Sequence, residues 1–220
     1  ETMPVIVWSH GYGGNRDGAG FISRYLTAHG YIIVHLTHPG SDSSLWEGKG
    51  GHPWEILRKT PITRGMTLDR FRDVPFVLDS LPAWIIAHPD MDLSNLGISG
   101  HSFGAMTSQA MAGQLFQDED GTLRSFHEPR FKAGILYSPV PIRELTGERP
   151  EPHIYGPIDI PLFHMTGTQD SSPLEGFEYG RRLAVHDYSG HAEKYLMILE
   201  EGDHMVFNGT RGQLEQNPLR

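Results

Sequence analysis

Leu93-Ser94-Asn95-Leu96-Gly97-Ile98-Ser99 runs straight into Gly100-His101-Ser102-Phe103-Gly104, and Ala105-Met106-Thr107-Ser108-Gln109-Ala110-Met111 follows. The first seven residues read as a β-strand and the last seven as a helix, so Ser102 falls on the turn between them. A G-x-S-x-G turn in that setting holds a serine hydroxyl at the carboxyl end of a sheet and at a helix N-terminus, where developing negative charge is favoured. The glycines are needed because a β-carbon at either flank would meet the adjoining strand or helix. The five residues alone are a weak motif; the strand and helix around them give it weight. Ser102 is the candidate nucleophile.

The same alternation extends along the chain. Apolar β-rich runs at Pro4–Ser9, Tyr31–Thr37, Phe131–Ser138, Ile160–Thr166 and Lys194–Glu200 alternate with helical patterns at Gly20–Ala28, Leu68–Ile86, Phe103–Phe116 and Leu174–Val185. A further helix is expected to begin near Phe207. Strands separated by helix-length segments predict an α/β fold, a mostly parallel sheet with helices on both faces. In the segment 68–86, Phe71, Val74, Val77, Leu78 and Leu81 form one apolar stripe, with Pro75 expected in a first turn or at a kink. Two stretches break the pattern and read as loop insertions. One is 39–65, polar, Gly-rich and carrying Trp46 and Trp54; the other is 139–159, rich in proline. No boundary divides residues 1–220, so a single domain is expected.

Acyl transfer passes through a tetrahedral oxyanion that needs two backbone N–H donors. Phe103, the residue after the candidate nucleophile, supplies one. Ser9-His10-Gly11-Tyr12-Gly13-Gly14, on the loop after the first strand, offers the other through the N–H of Tyr12. His10 belongs to the same loop and is expected to brace it. A base for Ser102 belongs on a loop after a late strand. His204 fits, in Glu201-Gly202-Asp203-His204 after the run Tyr195–Glu200. The acid belongs after the preceding strand, where Gly167-Thr168-Gln169-Asp170 places Asp170. Asp203 is the rival acid, although a direct neighbour of the histidine rarely faces its imidazole. His101 is expected to point away from the Ser102 hydroxyl, and His164 to be a hydrogen-bonded core histidine.

Composition narrows the classes. At 220 residues, with 38% hydrophobic and 20% charged, the chain can bury a full core. A net charge of -9 and no basic face argue against a nucleic-acid partner. No apolar run reaches the eighteen residues that a membrane span needs. Cysteine is absent, which removes disulfides and a cysteine nucleophile. No histidine pair has zinc-helix spacing, so no metal is expected, and the chemistry needs no cofactor. The start at Glu1-Thr2-Met3-Pro4 is abrupt. If processing removed an N-terminal segment, a secreted or periplasmic location is slightly favoured.

Taken together, Gly100–Gly104, Ser9–Gly14, Gly167–Asp170 and Gly202–His204 resemble α/β-hydrolase serine esterases. The similarity is to the bacterial branch related to platelet-activating-factor acetylhydrolases, cutinases and polyester hydrolases. His38-Pro39-Gly40-Ser41-Asp42 and Leu68-Asp69-Arg70-Phe71-Arg72-Asp73-Val74 also read like that branch. Such proteins are often labelled dienelactone-hydrolase-like, but true dienelactone hydrolases use cysteine. The resemblance implies the α/β-hydrolase fold and, because both ends look short against it, a chain trimmed at each end. It also implies a hydrolase acting on small-molecule or polymeric carboxylic esters, short-acyl or aromatic. Tyr12, Trp46, Trp54, Met205 and Phe207 are candidate walls of the substrate cleft. An acyltransferase or amidase with the same residues, or a silent hydrolase fold that only binds, stays open at this level.

Overall fold

The computed structural model describes residues 2–118, 120–141, 151–174, 176–191 and 193–208. Six strands form one sheet: β1 (Met3–Ser9), β2 (Ile32–His35), β3 (Met91–His101), β6 (Phe131–Tyr137), β7 (Leu162–Gln169) and β8 (Lys194–Asp203). Their order is β2-β1-β3-β6-β7-β8, and every neighbouring pair is parallel. β4 (Leu115–Gln117) and β5 (Leu123–Ser125) form a separate antiparallel hairpin. The helices are α1 (Gly20–Ala28), α2 (Pro53–Lys59), α3 (Arg64–Trp84), α4 (Phe103–Met111), α5 (Glu151–Tyr155) and α6 (Leu183–Tyr188). Among the described residues no helix is long and apolar enough to cross a membrane.

Strand periodicity sorts the core into two layers. Val5, Val7 and Leu136 face the larger cluster with Phe71, Val74, Met106 and Met111 from α3 and α4. Trp8 and Tyr137, one residue along, face the other side with Ile22 of α1. Because all six strands run the same way, the loops leaving β1, β3, β7 and β8 gather at one edge, where open parallel sheets place ligands.

Several element boundaries differ from the sequence reading. α3 starts at Arg64, where the Thr63 hydroxyl accepts the Met66 N–H at 3.2 Å, so Pro75 and Pro82 lie inside the helix. α4 stops at Met111 rather than Phe116. Gly113 has φ +118° and packs against the Pro157 carbonyl, turning the chain into the β4–β5 hairpin. The helix expected at Leu174–Val185 begins later, as a 3₁₀ turn at Tyr179–Arg182 followed by α6. Before it the Ser172 N–H closes a turn on the Phe177 carbonyl, with Gly176 at φ +71°. The polar insertion 39–65 carries a 3₁₀ turn at Ser43–Leu45 as well as α2, started by Pro53 and by a His52 side chain that accepts the Trp54 N–H. After β8 there is a 3₁₀ turn, Val206–Asn208; the rest of the helix expected near Phe207 lies outside the described residues. Within 139–159, residues 142–150 also lie outside them, and α5 follows.

Candidate active site

Ser102 has φ 56° and ψ −118°, a region that only a closely packed turn sustains for a residue with a side chain. The packing is provided by glycines: a β-carbon on Gly104 would overlap the Ser9 carbonyl, and one on Gly100 would overlap Gly104. The Ser102 N–H donates to the Tyr137 carbonyl at 2.9 Å, tying the turn to β6.

Sheet register brings the candidate base and the candidate acid together. At the ends of β7 and β8, Gln169 pairs with Asp203, so the next residues, Asp170 and His204, leave the sheet side by side. His204 Nε2 lies 2.9 Å from Ser102 Oγ, and His204 Nδ1 lies 2.7 Å from Asp170 Oδ1. The carboxylate accepts from Nδ1–H, which leaves Nε2 to accept from the serine hydroxyl. Asp203 turns elsewhere, and its carboxylate accepts the Met205 N–H at 3.1 Å.

Asp170 is wholly buried and receives further donors. Thr166 Oγ1 donates to Oδ2 at 2.8 Å, and Arg182 Nη2 lies 3.0 Å from Oδ1. Burial pushes the carboxyl up, but the His204 hydrogen bond and the Arg182 charge outweigh it and hold Asp170 below the usual carboxylate range. Arg182 also donates to the Asp170, Ser138 and Pro139 carbonyls, so it fixes Asp170 and the loop after β6 together. His101 is buried in the elbow, and its Nε2–H donates to the His204 carbonyl at 2.7 Å. Burial holds it down to about 3, so it stays neutral.

On the opposite side, Gly13 and Gly14 donate their N–H groups to Ser41 and Gly11. The N–H groups of Tyr12 and Phe103, the two candidate oxyanion donors, have no partner among the described residues. His10 braces this loop: its Nδ1–H donates to the Gly11 carbonyl at 2.6 Å and its Nε2 accepts the His38 N–H at 3.0 Å.

A second Ser–His–Asp alignment lies beneath. Ser9 Oγ is 2.8 Å from His38 Nε2, and His38 Nδ1 is 2.8 Å from Asp73 Oδ2. Interatomic distances alone do not distinguish the two serines; solvent access does. Ser9 and His38 are fully buried and take no part in the cleft of about 190 Å³ that Ser102 and His204 line. Tyr12, Trp46, Trp54, Leu57, Leu174 and Met205 form much of its wall. Trp46 is also a brace, since its Nε1–H donates to the Gly13 carbonyl at 2.7 Å. Phe207, in contrast, packs against Tyr137 at 5.4 Å between ring centres and is absent from the cleft. His164 is buried as expected, but among the described residues neither ring nitrogen has a hydrogen-bond partner. Among the described residues no three His, Asp or Glu side chains converge as a metal site requires.

No known sequence family matches this chain, and no curated protein does. Solved structures do. A cold-adapted esterase from an Arctic intertidal metagenomic library superposes with a TM-score of 0.61 at 16% identity, over 98% of this chain and 83% of that one. A metagenome-derived lipolytic enzyme gives 0.60 at 12% identity, over 97% and 90%. The acylaminoacyl peptidase of Pyrococcus horikoshii gives 0.58 at 18%, over 98% of this chain and 35% of that one. This chain has the α/β-hydrolase fold. In that α/β-hydrolase frame, Ser102, Asp170 and His204 occupy the ends of β3, β7 and β8 in chain order.

Sequence reasoning missed Arg182 and the bond from His101 to the His204 backbone. The second of two adjacent arginines, Arg181-Arg182, gives no sign that it turns inward. Arg70 and Asp73 were visible only as part of a resemblance.

Proposed function

We propose that the protein is a serine hydrolase of carboxylic esters. The observation that carries this reading is the continuous line Ser102 Oγ–His204 Nε2 and His204 Nδ1–Asp170 Oδ1, at 2.9 and 2.7 Å, opening on a cleft. Ser102 Oγ attacks the ester carbonyl while His204 Nε2 takes its proton. The oxyanion is held by the N–H groups of Tyr12 and Phe103. The imidazolium, stabilised by Asp170, then protonates the departing alkoxide, and an acyl-Ser102 remains. Water, deprotonated by the same imidazole, attacks that acyl group and releases the acid.

The cleft favours small acyl or aromatic groups. Its volume of about 190 Å³ is below the roughly 300–1,000 Å³ of pockets that enclose drug-sized ligands. Aromatic walls at Tyr12, Trp46 and Trp54, with Met205, suit flat or extended esters, including accessible polyester chains. That the superposed structures include an esterase and a lipolytic enzyme supports this reading, and the acylaminoacyl peptidase makes amides the alternative substrate. The test is turnover of p-nitrophenyl esters of graded acyl length beside matched p-nitroanilides. Activity falling beyond short acyl chains is expected. Faster cleavage of the anilides, or a steady rise past about ten carbons at near 0.8 kcal/mol per methylene, would contradict it.

A further inference from the structure

Arg70, on α3, is 1% exposed, yet every hydrogen bond it makes goes to a neutral acceptor. Nη1 donates to Ser41 Oγ at 3.2 Å, and Nη2 to Ser9 Oγ at 3.3 Å and to the His10 carbonyl. Nε–H has no partner among the described residues. Burying a cation without a directly paired carboxylate costs several kcal/mol, and an apolar side chain of similar volume would serve packing better. Burial brings the guanidinium down only to about 9, so it remains charged at neutral pH. A costly charge kept in this place calls for a role beyond packing.

Its contacts surround the two N–H groups read above as oxyanion donors. On one flank of Tyr12 it holds the His10 carbonyl. On the other it holds Ser41, whose own carbonyl accepts the Gly13 N–H at 2.9 Å. The guanidinium carbon also lies 4.2 Å over the centre of the Phe103 ring, on the residue that carries the second donor. Tyr12 lies on the loop after β1 and Phe103 is the first residue of α4, after β3, and among the described residues no hydrogen bond between those two sets their spacing. One planar fork bridges them. The Ser9–His38–Asp73 line extends this support, because Ser9 Oγ accepts from Arg70 and His38 Nδ1–H donates to Asp73, one turn further along α3.

We propose that Arg70 is the positioning residue of the oxyanion hole, fixing the Tyr12 loop relative to Phe103 by its hydrogen-bonded fork and its stack on the Phe103 ring. The inference rests on the serine-hydrolase reading. Lysine at this position keeps a charge but loses the fork and the planar stack, so Arg70→Lys separates geometry from charge.

The experiment compares wild type, Arg70→Lys, Arg70→Met and Ser102→Ala on p-nitrophenyl butyrate. Active sites are counted by fluorophosphonate labelling run to completion, so unfolded protein drops out of the rates. A trifluoromethyl ketone, which forms a tetrahedral adduct, reports the oxyanion hole directly. Misplaced donors matter only once the oxyanion forms, so kcat per site should fall at least about tenfold in Arg70→Lys, with KM changed by less than about threefold. Losing one donor outright costs about 10²–10³, which bounds Arg70→Met. Ketone affinity should fall in parallel with kcat/KM. If Arg70→Met does not fold, Arg70→Lys decides. Wild-type kcat per site in Arg70→Lys, or a loss confined to KM, would overturn the proposal. Hydrolysis surviving in Ser102→Ala would instead overturn the reading beneath it.

Discussion

Arg182 sets its Nη2 3.0 Å from Asp170 Oδ1, and the two side chains are 1% and 0% exposed. The pair meets His204 through its Asp170 carboxylate, and the same guanidinium spans the carbonyls of Ser138, Pro139 and Asp170. Removing one member of a buried pair leaves the other charge without compensation. Arg182→Met should therefore destabilise the fold by about 3–5 kcal/mol. At about 2–4 °C per kcal/mol for a chain of this size, Tm should drop by about 6–20 °C. Thermal unfolding at neutral pH checks this; a Tm within about 2 °C of wild type would show that the pair contributes nothing.

Asp170 and Asp203 are both near His204 in sequence or space, but only Asp170 meets the imidazole. Asp170→Asn should lower kcat by about 10⁴, because the amide favours the wrong imidazole tautomer. Asp203→Asn keeps an acceptor for the Met205 N–H and should stay within about 0.5 kcal/mol of wild type in stability, with kcat little changed. The reverse ranking in kcat would transfer the role to Asp203.

The parallel sheet was legible because strand and helix periods are local signals, and the approach of Ser102, His204 and Asp170 could be read from the glycines around one serine and from the loops after late strands. The arginine supports were not, since a charged residue reads as exposed and Arg70 turns inward only because the β1 and β3 loops meet there. Likewise α4 ends short of Phe116, where Gly113, at φ +118° and close to the Pro157 carbonyl, turns the chain before Leu115 and Phe116 enter the hairpin. Phe207 looked like a cleft wall by its place after His204, but it packs behind the sheet with Trp8 and Tyr137.

Buried histidines give the fold a pH dependence. His10, His101 and His164 are held down to about 3 and His38 to about 2, chiefly by burial. Unfolded, each binds a proton near 6.5, so between those values the unfolded chain holds more protons and stability rises with pH. Stability should be full above about pH 7 and decline below pH 6, by up to about 1.4 kcal/mol per pH unit for each histidine. Asp170 acts lower: its depressed carboxyl contributes above the ordinary carboxylate range, and that contribution is lost as pH falls through its folded value. His164, without hydrogen bonds, isolates one proton of this effect. His164→Phe should narrow the gap in Tm between pH 8 and pH 5; an unchanged gap would contradict the assignment.

The elbow tolerates no side chain at Gly104, where a β-carbon would overlap the Ser9 carbonyl. Gly104→Ala should yield no stable soluble protein. Gly65→Ala, in the first turn of α3 with its nearest neighbour at 3.8 Å, should instead be neutral or stabilise by up to about 1 kcal/mol. Comparable Tm values for the two variants would show that the elbow relaxes.

The most direct test of the central claim is covalent labelling with a fluorophosphonate, read by intact mass and then by peptide mapping. Among the described residues two serines stand in Ser–His–Asp alignments, Ser9 and Ser102, and of these Ser102 opens on the cleft. One adduct per chain is expected, on Ser102, coincident with loss of esterase activity and absent from Ser102→Ala. A protein that hydrolyses esters while Ser102 stays unlabelled, or one labelled on Ser9, would contradict it.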